Sequence, residues 1–141
     1  MCVKFDSEDV NVFYTGGWDR KVLIWDVRNG PKCAGQIDGP LISGEAIDSD
    51  SRSHKLLTGS HTKTNSLMIW DLRNLGQPMV IPWSIFKSTP SSQTQTYSCK
   101  FIQPRKCAVM ACGLDQNAVK IFSATSGNPI YSFNDNEENL F

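Results

Sequence analysis

Residues 12–26 read VFYTGGWDRKVLIWD, in which two β-prone runs surround a short turn of glycine, tryptophan and aspartate. The first run covers residues 12–15, the turn covers residues 16–19, and the second run covers residues 21–26. β-Branched and aromatic residues on both sides of a glycine-containing turn are typical of a β-hairpin. The stretch therefore predicts two antiparallel strands, the second of which ends in a tryptophan and an aspartate.

This hairpin pattern occurs twice more along the chain. Residues 55–71 read KLLTGSHTKTNSLMIWD, and residues 107–122 read CAVMACGLDQNAVKIF. The aromatic residues that close the three patterns, Trp25, Trp70 and Phe122, are 45 and 52 residues apart. Self-similarity at a period of roughly 20–50 residues indicates a repeat architecture. The sequence therefore predicts three copies of one β-rich unit.

Each hairpin is flanked by one further β-prone run on either side, and helical periodicity is nearly absent from the chain. The runs that precede the hairpins are residues 2–5, 45–48 and 97–101, and those that follow are residues 32–37, 79–83 and 129–133. We therefore expect an all-β chain of three four-stranded antiparallel units. The predicted units are residues 1–38, 44–83 and 97–133, with a Ser/Thr/Gln-rich loop at 84–96 and a polar, frayed or partner-bound tail at 134–141.

Two of the units end in Trp-Asp after a glycine-containing turn, at nearly the spacing of a repeat, and in this the chain resembles the WD40 repeat family over nearly its whole length. The resemblance implies a segment of a β-propeller made of three four-stranded blades. A propeller closes with about four to eight blades, so three are too few to close a ring alone. Three alternatives remain open: a fragment of a larger propeller, completion by another chain or copy, and an open array that is capped in some other way.

The resemblance also implies a buried hydrogen-bonded network in each blade, formed by a Ser or Thr, a turn Asp, the strand Trp and a loop His. The residues at these positions are Thr15, Asp19 and Trp25 in blade one, Thr58 and Trp70 in blade two, and Asp115 in blade three. The chain departs from the pattern in several places. Ala111 and Phe122 replace the hydroxyl and the indole of blade three, and Gly39-Pro40 stands where a Gly-His would precede blade two.

Charge and cysteine content argue against several classes of protein, although a small local charged patch remains possible. Lys plus Arg and Asp plus Glu number 14 each, so the net charge gives no sign of binding to nucleic acid or to an anionic membrane.

No apolar run approaches the roughly 20 residues that cross a bilayer, and the N-terminus lacks the pattern of a signal peptide. Five scattered cysteines indicate a reducing compartment. We expect a cytoplasmic protein, with nuclear, ciliary or cytoskeletal locations open.

The sequence contains no recognisable catalytic or cofactor motif. It lacks a Gly-x-Ser-x-Gly elbow, a phosphate loop and a His-Glu-x-x-His sequence. We expect Glu45 and Asp48 to be strand residues near solvent. The spacing of Cys99, Cys107 and Cys112 favours small strand residues over a zinc site. We therefore predict a protein that is not an enzyme and binds no cofactor and no metal.

The expected function is that of a protein-interaction scaffold within a multi-subunit assembly, with ciliary and cytoskeletal complexes among the settings left open. Its partners would be other protein subunits or the remaining blades of the propeller, without nucleic acid or membrane. One alternative is a ligand-binding or catalytic propeller whose active loops are missing from this sequence. That alternative would require a cluster of titratable residues on one face.

A second alternative depends on two Trp-Asp-x-Arg motifs, which end in Arg28 and Arg73. The pair resembles a feature of substrate receptors of cullin-type ubiquitin ligases, in which such arginines help to dock the adaptor. The planar guanidinium suits this role because it forms bidentate bonds, although such arginines commonly form local salt bridges at the end of a strand. Trp18 at a hairpin tip and Leu41 and Ile42 between two blades are further candidate partner-binding residues, with packing within the chain as the alternative for each.

Overall fold

The computed structural model of the 141-residue chain describes residues 1–83, 94–102, 107–114, 118–134 and 137–140, of which residues 134 and 137–140 are described by their backbone alone. These residues form three antiparallel sheets. Helix is confined, within the same ranges, to one 3-10 turn at Val27–Asn29. The prediction of an all-β fold is confirmed, and the described sheets do not close into a ring.

The strands follow one another in sequence order within each sheet, and each pairs with the next. Sheet one contains β1 Cys2–Phe5, β2 Val12–Gly16, β3 Lys21–Asp26 and β4 Cys33–Asp38. Sheet two contains β5 Ile47–Asp50, β6 Lys55–Gly59, β7 Leu67–Asp71 and β8 Asn74–Val80. Sheet three contains β9 Thr96–Phe101, β10 Ala108–Gly113, β11 Ala118–Ser123, β12 Pro129–Asn134 and β13 Glu137–Leu140. The three predicted hairpins correspond to β2–β3, β6–β7 and β10–β11.

The fifth strand of sheet three lies in the segment that was predicted to be a polar tail. β13 pairs with β12 in antiparallel register, with Leu140 opposite Tyr131 and Glu137 opposite Asn134. A strand at a sheet edge needs only the hydrogen bonds of its backbone, and a polar, acidic composition does not prevent these. Hydrophobic patterning therefore could not reveal this strand.

The three sheets correspond to one another position by position. Trp25 lies opposite Phe13, Trp70 opposite Leu56, and Phe122 opposite Val109. We call the surface that carries these three closing aromatics the front face of each sheet. Neighbouring strand residues point to opposite sides, so the other surface, the back face, carries the three equivalent residues Tyr14, Leu57 and Met110.

The hydrophobic core lies at the two junctions between the sheets, where the back face of one sheet packs on the front face of the next. Its fully buried side chains include Val22, Ile37, Ile42, Ile47, Leu56, Leu57, Leu67, Val109 and Phe122. Glycine permits the close approach at both junctions. A Cβ atom at Gly16 would lie 2.6 Å from Cγ1 of Ile42, and one at Gly59 would lie 2.7 Å from Cγ2 of Thr96.

Candidate protein-interaction surfaces

A threonine–tryptophan hydrogen bond occurs at equivalent positions of sheets one and two. The Trp70 indole Nε1 donates to the Thr58 hydroxyl at 2.8 Å, and the Trp25 indole Nε1 donates to the Thr15 hydroxyl at 2.9 Å. Thr58 and Trp70 are buried, whereas Thr15 and Trp25 are only partly buried. A buried indole N–H needs an acceptor, and the hydroxyl of the neighbouring strand provides it.

Asp19 lies outside the hydrogen-bonded pair of sheet one. It is exposed at the hairpin turn, where its carboxylate accepts a hydrogen bond from the backbone N–H of Lys21 at 3.4 Å. The Thr15 hydroxyl is already engaged by the indole, and the sequence has no histidine nearby to link a turn carboxylate to it. The structure therefore differs here from the network that the resemblance implied. Asp115, the candidate in sheet three, falls outside the described residues.

Arg28 and Arg73 form the same bidentate contact at the ends of β3 and β7. The Nε and Nη2 atoms of Arg28 donate to the two carboxylate oxygens of Asp26, both at 2.8 Å. The corresponding distances from Arg73 to Asp71 are 3.0 and 2.8 Å. Hydrogen bonds from Arg73 hold the pKa of the Asp71 carboxyl well below its usual range. Each guanidinium is thus oriented by the aspartate of its own Trp-Asp-x-Arg motif.

Both arginines nevertheless remain accessible to solvent. The side chain of Arg28 is 56% exposed and also contacts Asp9 at 2.8 Å, and the side chain of Arg73 is 67% exposed. An exposed ion pair contributes little to stability. The two Trp-Asp-x-Arg motifs therefore present similarly oriented, accessible guanidinium groups on successive sheets.

The two candidate partner-binding residues between sheets one and two, Leu41 and Ile42, differ in their accessibility. Ile42 is fully buried against Gly16, so its side chain packs within the chain and is not accessible to a partner. Leu41 is partly buried, and its backbone N–H donates to the Ser60 hydroxyl at 2.9 Å, while its carbonyl accepts from the His61 N–H at 2.8 Å. This segment fixes the junction between the two sheets.

Trp18, in contrast, lies on the surface. Its side chain is 74% exposed at the tip of the β2–β3 hairpin. It borders an open groove of about 840 Å³, whose lining includes Met1, Leu23 and Trp25. An exposed indole beside an apolar groove is a common anchor in protein interfaces.

The groove belongs to a larger apolar surface on the front face of sheet one. Val3 and Phe5 are 60% and 63% exposed. The rings of Phe5, Phe13 and Trp25 form a row with centroid separations of 6.0 Å, the last two being stacked with an interplanar angle of 10°. A contiguous exposed apolar surface of this kind marks an interaction site or an uncovered packing face.

Asp48 joins all three sheets, and its predicted position near solvent is wrong. It is only 7% exposed. One carboxylate oxygen lies 2.9 Å from the Lys4 ammonium of sheet one, and the other accepts the backbone N–H of Phe101 in sheet three at 2.8 Å. These contacts link strands far apart in sequence, so local patterning gave no sign of them.

Asp6 forms a second polar junction, which no motif in the sequence indicates. Its carboxylate accepts hydrogen bonds from the Tyr14 hydroxyl at 2.8 Å, from the hydroxyl of Ser51 in the turn after β5, and from the backbone N–H groups of Glu8 and Asp9 at 3.0 Å. Burial raises the pKa of this carboxyl, but the hydrogen bonds outweigh burial and lower the pKa to about 2. Asp6 therefore stays ionised and ties sheet one to sheet two.

The cysteines are dispersed and unpaired. Cys2 and Cys99 are buried, Cys112 is partly buried, and Cys33 and Cys107 are exposed. Burial raises the pKa of the Cys99 thiol, so this group is a weak nucleophile. Across the described ranges, no group of three or more His, Cys, Asp or Glu side chains is arranged to hold a metal ion. The same ranges contain no helix long and apolar enough to cross a membrane.

Comparison with known proteins relates part of the chain to two checkpoint proteins. The chain is 34% identical over 82 residues to the spindle assembly checkpoint protein bub3 of Schizosaccharomyces pombe (strain 972 / ATCC 24843), and 29% identical over 80 residues to the mitotic checkpoint protein bub-3 of Caenorhabditis elegans. The matches cover 58% and 57% of this chain and 22% of each relative. No protein-family model matches the chain. Somewhat more than half of this chain is therefore similar to a segment that makes up about a fifth of the length of each bub3 protein.

Proposed function

We propose that this chain is a segment of a WD40-type β-propeller and serves as a non-catalytic protein-interaction scaffold in a multi-subunit assembly. The observation that carries the proposal is the repeated antiparallel sheet with a threonine–tryptophan hydrogen bond at equivalent positions, Thr15–Trp25 and Thr58–Trp70. The similarity to two bub3 proteins supports it. The perturbed carboxylates Asp6 and Asp71 have structural partners, which gives no support to a catalytic role.

The partners we propose are other protein subunits or further blades of the same propeller. Both relatives are named as checkpoint proteins, which favours a checkpoint assembly over a ciliary one. The surface we assign to partner binding is the hairpin tip around Trp18, because its indole is exposed beside an apolar groove. Five free cysteines favour a reducing compartment, the cytoplasm or the nucleus, as the location of this assembly.

The test is co-purification from cells with the tagged protein and its Trp18→Ala variant. Truncation of an exposed interface anchor typically costs about 2 kcal/mol or more of binding free energy, so recovery of a direct partner should fall by at least tenfold. Lys32→Ala, which alters an exposed side chain away from the groove, is the matched control and should leave recovery unchanged. Equal recovery of every stoichiometric partner with wild type and Trp18→Ala would contradict the assignment of this surface.

A substrate receptor of a cullin-type ubiquitin ligase is the second candidate function. It is favoured by the matched geometry and exposure of Arg28 and Arg73 on successive sheets. The double variant Arg28→Ala/Arg73→Ala should then lose binding of the ligase adaptor in a pull-down while retaining its melting temperature. Retained adaptor binding, or no adaptor binding by the wild type, would exclude this function in favour of a local structural role.

A further inference from the structure

A polar cleft lies at the junction between sheets one and two, beside the tips of the β2–β3 and β6–β7 hairpins. Its volume is about 310 Å³, which is at the lower end of the range for ligand pockets. One wall comes from sheet one and includes Arg20 and Asp38, and the other comes from the β6–β7 turn and includes Thr64 and Asn65. Both walls belong to this chain, so the cleft does not depend on any further sheet.

The cleft contains one positive and one negative side chain, Arg20 and Asp38, which do not pair. Asp38 lies opposite Lys21 in the β3–β4 register, and the N–H of Gly39 donates to the Arg20 carbonyl at 2.8 Å, so the two side chains start from neighbouring positions. Within the described part of the chain, no ion pair includes either of them. One Asp38 oxygen accepts a hydrogen bond from the exposed Gln36 carboxamide at 2.7 Å. The cleft therefore offers a guanidinium donor beside a carboxylate acceptor.

Two hydroxyls of the opposite wall are used as donors within the chain. The Leu41 N–H donates to the Ser60 hydroxyl at 2.9 Å, and the Thr62 hydroxyl donates to the Thr64 carbonyl at 2.9 Å. Because the Thr62 hydrogen is used in this way, the Ser60 hydroxyl is the donor in its 2.9 Å contact with Thr62. The Thr64 hydroxyl and the Asn65 carboxamide are therefore the groups of this wall that can still bind a ligand.

Backbone conformation and an apolar floor complete the cleft. Arg20 and Asn65 both adopt left-handed backbone conformations, with φ of 60° and 53°. Non-glycine residues seldom adopt this conformation, and such residues cluster at binding sites. Met68 and Trp70 line the same cleft and are each only 6% exposed. The cleft thus combines an apolar floor with a rim of hydrogen-bonding groups whose charges balance.

We propose that this cleft binds the carboxamide side chain of a glutamine in an extended segment of a partner protein. The carboxamide is uncharged and carries an acceptor and two donors at one end, so its oxygen accepts from Arg20 while its NH₂ group donates to Asp38. Its methylene stem packs on Met68 and Trp70. A glutamate of the same size brings a second carboxylate against Asp38, and a methionine leaves both charged groups without a partner.

The inference rests on the scaffold role proposed above, but it concerns a site separate from the Trp18 groove. Surface plasmon resonance measures the binding, with the full chain immobilised at low density through a terminal tag so that copies cannot associate. The probes are three blocked pentapeptides that differ only in a central Gln, Glu or Met. The glutamine peptide should bind roughly tenfold more tightly than the other two, because each of these leaves at least one hydrogen bond unmade.

Asp38→Asn provides the decisive variant, because it removes one charge and keeps the shape of the side chain. Arg20 is then unbalanced and forms its stronger hydrogen bonds with a carboxylate, so the preference should reverse in favour of the glutamate peptide. Asp19→Asn is the matched control, since it makes the same change on the same hairpin but lines the groove beside Trp18. It should keep the preference for glutamine.

Three outcomes would overturn the proposal: equal affinities of the wild type for the three peptides, no binding of the glutamine peptide at millimolar concentration, or an unchanged preference in Asp38→Asn. Circular dichroism checks that each variant folds. If Asp38→Asn does not fold, the comparison of the three peptides on the wild type decides alone. Loss of partners by Trp18→Ala in the co-purification test would stand in any of these cases, so the two sites fail separately.

Discussion

At the scale of single residues, the threonine–tryptophan bonds differ in burial and therefore in their expected contribution to stability. Thr58→Val removes the acceptor of a buried indole N–H and should destabilise the chain by about 1–3 kcal/mol. Thr15→Val should cost less, because Trp25 is only partly buried and water can replace the hydroxyl. Urea unfolding of the two variants, in a preparation that unfolds reversibly, checks the order. Equal losses would show that burial does not distinguish the pairs.

Asp19 leads to the opposite expectation from the one that the resemblance suggested. A turn carboxylate in a buried network would cost about 1–3 kcal/mol when removed. The exposed carboxylate in the structure makes one long hydrogen bond to the backbone of Lys21, so Asp19→Ala should change stability by less than about 0.5 kcal/mol. Asp19→Asn, which keeps an acceptor for the turn, is the control. A large drop in melting temperature for Asp19→Ala alone would restore the network hypothesis.

Asp6 should make the free energy of unfolding depend on pH in the acid range. Its pKa is lowered from 3.8 to about 2 in the folded chain, because hydrogen bonds to the carboxylate outweigh burial. A lowered folded pKa means that the contribution to stability is fully present above about pH 4 and is lost as the pH falls towards 2. Asp6→Asn should therefore flatten the acid limb of the stability curve between these values. If wild type and Asp6→Asn lost the same stability between pH 4 and pH 2, measured by urea unfolding at each pH, this role would be contradicted.

At the scale of strands and junctions, Gly16 sets how closely sheets one and two approach. A Cβ atom there would lie 2.6 Å from Ile42 Cγ1 and 2.9 Å from Ile47 Cδ1, so Gly16→Ala should destabilise the chain by roughly 1–3 kcal/mol through overpacking. Gly76→Ala is the control, because its Cβ atom would meet only Asn74 Oδ1, at 3.5 Å. Equal melting temperatures for the two variants would mean that the junction relaxes to accept a methyl group.

The sequence allowed the hairpins to be predicted because their signals are local. Alternating apolar residues and a glycine turn lie within one run such as residues 12–26, and the repeat distance then related the three runs to one another. Asp48 could not be predicted in this way. Its burial depends on Lys4 and Phe101, which are brought together only when the sheets stack. Ile42 is a similar case, since nothing in its neighbourhood in sequence distinguishes a core side chain from an exposed loop residue.

At the scale of the whole molecule, the uncovered ends should control behaviour in solution. Val3 and Phe5 at one end and Met110 and Tyr131 at the other are between 41% and 63% exposed. Soluble monomers seldom tolerate contiguous apolar patches much larger than about 300–600 Å². We therefore expect the isolated 141-residue chain to self-associate, aggregate or remain partly unfolded, and to become well folded when further sheets cover its ends.

Light scattering and a thermal melt of the isolated chain provide the measurement. The expected result is a polydisperse sample with a broad transition, because apolar faces associate without a defined register. A control with Phe5→Ser and Met110→Ser, which reduces the apolar surface at both ends, should lower the scattering while the all-β circular dichroism spectrum is retained. A monodisperse wild-type monomer with a sharp transition would contradict the prediction, because it would mean that both faces are stable in water without a covering sheet.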